Sequence, residues 1–174
     1  WQHERKGTRR MSTIDVLVES YKFNRSRVLA MLDDIDQLDD PAEALGWRPG
    51  DGRAHIAWQM MHVGISEEIF ATDWIAQSDD SPHRDKWSRF RGGSTPDDDI
   101  PSLEEIRTVL ADGRRQLLEK LDGYDDSQLD DIVWHHEDMN VDFSLLTVLH
   151  IIGYHEGHHQ GQAHITLNLY KARG

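Results

Sequence analysis

Four stretches of the chain carry apolar residues at the 3.6-residue spacing of a helix buried on one side. In the first, Ser12 to Ile35, the stripe is Ile14, Leu17, Val18, Tyr21, Val28, Leu32 and Ile35, and Ser12 or Thr13 is placed to cap its start. The second follows the loop Pro41–Gly52 and runs to about Gln77, with His55, Trp58, His62, Ile65 and Ile69 on one face. The third opens at Ser102 and Glu105, which fit a capping box. Its stripe is Ile106, Val109, Leu110, Leu117 and Leu121, and Gly123 suits its stop. The fourth, Ser144 to Ala172, has Val148 and Ile152 on a face that continues through His155, His159, Gln162 and Thr166. The pattern predicts an all-α, helix-on-helix domain.

The connections are polar. The first helix ends among Asp33, Asp34, Asp36, Asp39 and Asp40, where clustered negative charge disfavours a helix C-terminus. That run reads as a solvated helix end rather than as metal-binding carboxylates. Between the second and third helices, Ser78–Pro101 is rich in Asp, Ser, Gly and Pro and long enough to be a crossover or a functional loop. Asp131–Trp134 and Asn140–Phe143 have the makings of a short hairpin turning through His135–Met139. No internal repeat is present.

Composition narrows the function. The 174 residues suffice for one domain with a core. Lys+Arg number 19 against Asp+Glu 32, a net charge of -13 that repels nucleic acid and anionic lipid. There is no cysteine, which excludes disulfides, thiolate metal sites and a cysteine nucleophile. No apolar run is long enough to span a bilayer. Trp1–Arg10 lacks the apolar core of a secretory signal. Residues 1–11 read as an N-terminal extension before a domain over 12–174, with Met11 a candidate native start. The expected location is the cytoplasm.

Chemistry concentrates in the histidines, which number 11. His155 and His159 stand one helical turn apart on an inward face, and His62 stands on the inward face of another helix. Three imidazoles buried without partners are costly, and a shared metal ion removes that cost. An empty, pH-sensitive histidine cluster is the third alternative, after a catalytic and a structural metal. His3, His83, His135, His136, His150 and His164 read as ordinary core or surface groups. His158 projects to one side of His155 and reads as a flanking group, while His55 is placed two turns before His62, at the mouth of the site. His155-Glu156-Gly157-His158-His159 also satisfies the H-E-x-x-H pattern of metalloproteases. The downstream third ligand is missing: Gln162 and Ile165 stand where the extended motif needs glycine and histidine, and no Asp or Glu follows Glu156. A protease is therefore excluded. Glu156 remains a candidate general base beside a metal-bound water, against a purely structural role.

The H-x-x-x-H-x-G-Q run of His155, His159, Gly161 and Gln162, with His62 in Ala57–Val63 and the preceding Leu45–Gly50 loop, resembles the DinB/YfiT-like superfamily. The resemblance spans about Ser12 to Ala172. It implies an up-down-down-up four-helix bundle with Ser78–Pro101 as crossover. It implies a divalent metal, zinc or nickel, on His62, His155 and His159, and a homodimer. Members with assigned activities are thiol-dependent isomerases and S-transferases using mycothiol, bacillithiol or glutathione, and metal-dependent hydrolases. The chain's lack of thiols permits a low-molecular-weight thiol as cofactor, activated by the metal. Bulky His55 and Trp58 depart from family members and leave the substrate open. Gln162, His158 and His55 are the expected supports around the ligands. Arg84, Trp87, Arg89 and Arg91, with Phe90, form a basic, aromatic island in the long loop, a candidate anion-binding element for a small-molecule substrate. The alternative to an enzyme is a stress-response bundle whose metal only rigidifies it.

Overall fold

A computed structural model describes residues 10–173. Residues 1–9, including His3 and most of the expected N-terminal extension, lie outside the described part. The described chain is mostly helical. Its long helices are α1 (Thr13–Asp36), α3 (Ile56–Ile69), α5 (Leu103–Leu121) and α6 (Leu145–Ala172). The short helices are α2 (Pro41–Gly46) and α4 (Trp87–Phe90), and a hairpin of β1 (Ile132–His136) and β2 (Val141–Ser144) completes the set.

Local chemistry sets the helix starts. The Ser12 side chain accepts from Asp15 N–H and the Asp15 carboxylate accepts from Ser12 N–H, a complete capping box for α1. Ser102 caps α5 and Ser144 caps α6 in the same way, through Glu105 N–H and Thr147 N–H. At α5 the reciprocal half is not formed, because the Glu105 carboxylate takes Lys86 at 2.8 Å. α1 stops at Asp36 inside the acidic run, as the charge pattern predicts.

Three expectations need correction. The stretch before α3 is not one loop: Asp40 caps a helical turn that begins at Pro41. His55 is not on the helix with His62 but is its N-cap, with Nδ1 accepting from Trp58 N–H at 3.0 Å. Beyond Ile69 the helix widens into a π-helical segment, Phe70–Ile75, rather than continuing as α-helix to Gln77. The crossover also holds structure, a 3₁₀ turn at Arg84–Lys86 followed by α4. The hairpin exists, with His136 opposite Val141.

α3 packs on α5 and α6, and α1 on α6. The α3–α5 contact is close enough to require glycine on both sides. A Cβ on Gly113 would lie 2.5 Å from the Gly64 carbonyl oxygen, and one on Gly64 would lie 2.9 Å from Val109. α1 is tied to α6 by Tyr21, whose hydroxyl donates to Leu149 O at 2.5 Å, and by Asn24, which donates to Gly153 O at 3.2 Å.

The core is divided. One apolar cluster contains Val28–Ile35 of α1, the first half of α3, Ile106–Leu110 of α5 and Ala163 and Leu167 of α6. The other contains Ile14 and Tyr21 of α1, Phe70–Ile75, Leu117 and Leu121 of α5, and Leu145–Ile152 of α6. At the level between them each long helix contributes one buried charge: Arg25, Glu67, Arg114 and Glu156. The charges alternate around a closed ring, with Arg25–Glu67 at 2.7 Å, Glu67–Arg114 at 2.6 Å, Arg114–Glu156 at 2.7 Å and Glu156–Arg25 at 2.6 Å.

Gly113→Ala is expected to lower stability by about 1–3 kcal/mol, because the backbone of α3 leaves no room for the methyl group. Urea unfolding measures it; an unchanged midpoint would show that the two helices separate freely.

Candidate metal centre

α6 carries His155 and His159 one turn apart, and α3 carries His62 opposite them. One ring nitrogen from each lies within 4.8 Å of the others. The ring centroids of His62 are 4.7 Å from those of His155 and 4.6 Å from those of His159. His62 Nε2 is 2.9 Å from His155 Nε2.

The surroundings set the orientation of His62. Its Nδ1 is 2.6 Å from the carbonyl oxygen of Phe90, at the end of α4. A carbonyl only accepts, so Nδ1 carries the proton and Nε2 presents its lone pair to the cluster. Trp58 stacks on the same ring at 4.7 Å. The crossover that delivers Phe90 is pinned by Glu68. This fully buried carboxylate accepts from His83 N–H at 3.2 Å, from Trp87 Nε1 at 2.9 Å and from the Ser81 hydroxyl.

All three imidazoles are held in the neutral, ligating form. Burial, reinforced by His62, His159 and His158 nearby, pushes His155 down to about 3. Burial, with His62 and His158, pushes His159 down to about 4. Burial also lowers His62, against the opposing pull of the Phe90 carbonyl. His159 Nδ1 is buried with no hydrogen-bond partner. Neutral nitrogen donors, an oriented lone pair and a buried orphan nitrogen fit one divalent transition metal with coordination positions to spare.

The cluster forms the floor of a cleft of about 730 Å³. Ser66 and Ile69 flank it, and the π-helical segment contributes Phe70, Asp73 and Trp74 to one wall. A π-turn inside a helix is a frequent feature of functional sites. Here it brings Trp74 flat against Trp134 of β1, with centroids 3.8 Å apart and planes 5° from parallel. The hairpin supplies His135, His136, Glu137 and Asp138, and the crossover supplies Trp87, Arg91 and Gly92. Neither the π-segment nor the hairpin was marked as part of a site by the sequence. The nearest signal was the density of tryptophans at Trp74, Trp87 and Trp134 in otherwise polar surroundings.

The remaining site expectations fare differently. Glu156 is 3% exposed and both its oxygens are taken by Arg25 and Arg114 in the buried ring, which leaves it no free lone pair for base catalysis. His55 is spent on the cap and on Asp97 O at 3.0 Å, so it neither lines the mouth nor supports a ligand. Gln162 and His158 are exposed and bond to each other at 2.8 Å. His158 touches His159 only edge-on, with ring centroids 5.3 Å apart. Of the basic island, Arg84 lies over the Trp87 ring at 4.5 Å and reaches Asp79. Arg89 is bound by Asp97 at 2.7 Å and Asp99 at 3.0 Å. Trp87 and Arg91 alone among the four face the cleft. His83 pairs with Asp112 and His135 with Asp142, ordinary surface roles.

Fold and site together define a helical protein with a three-histidine centre suited to a single metal ion. The chain belongs to the DinB superfamily, whose sequence model matches residues 15–163. It is similar in fold to the crystal structure of a conserved protein from Enterococcus faecalis, with a TM-score of 0.68 and 17% identity over 94% of this chain and 100% of that one. No curated protein matches the sequence significantly.

Two expectations follow. In metal-free protein, folding keeps the histidines from binding protons that the unfolded chain takes up below about 6.5. Stability is therefore full above that pH and is lost progressively as pH falls toward 3–4. Circular dichroism melts across the range check this; a flat profile would mean that the cluster is not buried. Glu156→Gln is expected to cost about 3–5 kcal/mol of stability by leaving buried guanidinium charge uncompensated, while metal content by elemental analysis stays unchanged. Loss of metal with intact stability would return Glu156 to the site.

Proposed function

We propose that this protein is a metal-dependent enzyme in which His62, His155 and His159 hold one divalent transition metal, zinc or nickel. Its reaction would be hydrolysis or S-transfer on a small molecule. When bound, the metal supplies Lewis acidity that lowers the pKa of a water or a low-molecular-weight thiol to near neutrality. The observation that carries this reading is an oriented histidine cluster with only three protein donors opening onto a cleft of about 730 Å³.

The chain's own residues do the rest. Burial keeps the imidazoles unprotonated, and Phe90 O holds the proton of His62 at Nδ1. Phe70, Trp74, Trp87 and Trp134 exclude water and offer flat apolar surface to a substrate. With Glu156 committed to the ring, proton transfer falls to the metal-activated group itself or to the hairpin side chains His136, Glu137 and Asp138 at the cleft. A purely structural metal would need a fourth protein ligand, and His55 and His158 are both engaged elsewhere.

The same reading includes the remaining family traits. An up-down-down-up bundle agrees with the order in which the helices meet the two apolar clusters: α1 and α6 start in one, α3 and α5 in the other. A homodimer agrees with exposed Val16 and Phe23 on α1 and Ile165 and Leu169 on α6. Among the described residues no helix is long and apolar enough to cross a membrane. We place the protein in the cytoplasm, without nucleic-acid or membrane partners.

Elemental analysis of untagged protein is expected to find about one transition metal per chain, the stoichiometry of a single three-histidine site. Joint substitution of His62, His155 and His159 by Ala is expected to abolish it. Metal retained by that variant would falsify the assignment.

A further inference from the structure

The cleft is electrically lopsided. Its floor is the buried histidine cluster, with His62 6% exposed. Its outer part carries three exposed carboxylates, Asp73 on the π-segment and Glu137 and Asp138 at the hairpin turn. None of the three has a cationic partner within 4 Å among the described residues, while the neighbouring cations Arg84, Lys86 and Arg89 are each matched by an acid of their own. Arg91 alone opposes them in the cleft. Between floor and rim lies aromatic surface: Phe70 against Trp74 at 4.6 Å, and Trp74 flat on Trp134. Ring faces and unpaired carboxylates both attract a cation, and both repel an anion.

We propose that the cleft selects a ligand with an electron-rich head at the histidine floor, a flat apolar body along the tryptophans, and a cationic nitrogen at its outer end. Asp73, Glu137 and Asp138 receive that nitrogen. This rests on the metal-site reading for the head and is independent of it for the tail. It assigns the outer cleft to amines, and it reverses the expectation that the basic island recruits an anion.

Three benzyl mercaptans that differ only at the para position test it: ammoniomethyl, hydroxymethyl and carboxylate. The thiol anchors each at the metal, so the difference reports the tail. Calorimetric titration of the zinc-loaded full chain is expected to give about tenfold tighter binding of the ammonium than of the carboxylate, with the alcohol between. Neutralising the rim with Asp73→Asn, Glu137→Gln and Asp138→Asn is expected to shrink that gap to about twofold without changing zinc content. Neutralising the remote Asp34, Asp36 and Asp39 to Asn is expected to leave the gap intact, which separates the rim from the chain's overall charge of -13. Equal binding of the three probes, a preference for the carboxylate, or equal sensitivity to the remote substitutions overturns the amine assignment while leaving the metal site standing. Protein that takes up no zinc overturns both.

Discussion

The buried ring of Arg25, Glu67, Arg114 and Glu156 is the constraint on which the rest of the molecule depends. Each member comes from a different long helix, and each guanidinium bridges the same two carboxylates. Two cations and two anions in the core are tolerable only when they close on one another. That closure demands one register of four helices. A helix that slid by one turn would move its charge into an apolar cluster and leave its two partners unpaired. Apolar packing above and below is less demanding, because a slid Leu or Ile still finds apolar neighbours.

The register matters to the site because the ring and the histidines share α3 and α6. Glu156 follows His155 directly, and Glu67 lies five residues after His62. Fixing the carboxylates fixes the height at which the imidazoles face one another. The crossover adds the second restraint. Glu68 holds the Ser81–Trp87 stretch, α4 follows, and Phe90 O closes on His62. The cluster is thus oriented from behind by the core and from the side by a loop that would otherwise be free to move.

What the sequence reveals here is what is local or periodic. Serine caps at 12, 102 and 144 are legible because a cap is made by residues three apart. The histidine trio is legible because a one-turn spacing and an apolar face are visible in one dimension. Glu156 was drawn toward catalysis by its place in a motif, and only the partners from α1 and α5 show otherwise. A signal was present: Arg25 and Arg114 both fall on apolar stripes, between Tyr21 and Val28 and between Leu110 and Leu117. Charges of both signs at core positions on separate helices point to a buried ring. His55 misled because α3 is buried on nearly every side, so its periodicity gives no phase and no start. The cleft was illegible because its wall depends on a non-α turn and a hairpin, neither of which has a period in sequence.

The π-segment also bears on how such a cleft changes over time. A helix accommodates an i→i+5 turn by holding one residue more than an α-helix would use for the same rise. Removing a single residue from Phe70–Ile75 would restore ordinary winding and rotate everything after it by about 100°. Trp74 would then leave its place against Trp134, while His62, one element earlier, would keep its own. A one-codon deletion or insertion can therefore exchange the wall of the cleft without touching the centre. Divergence in what such proteins accept does not require any change in the residues that hold the ion.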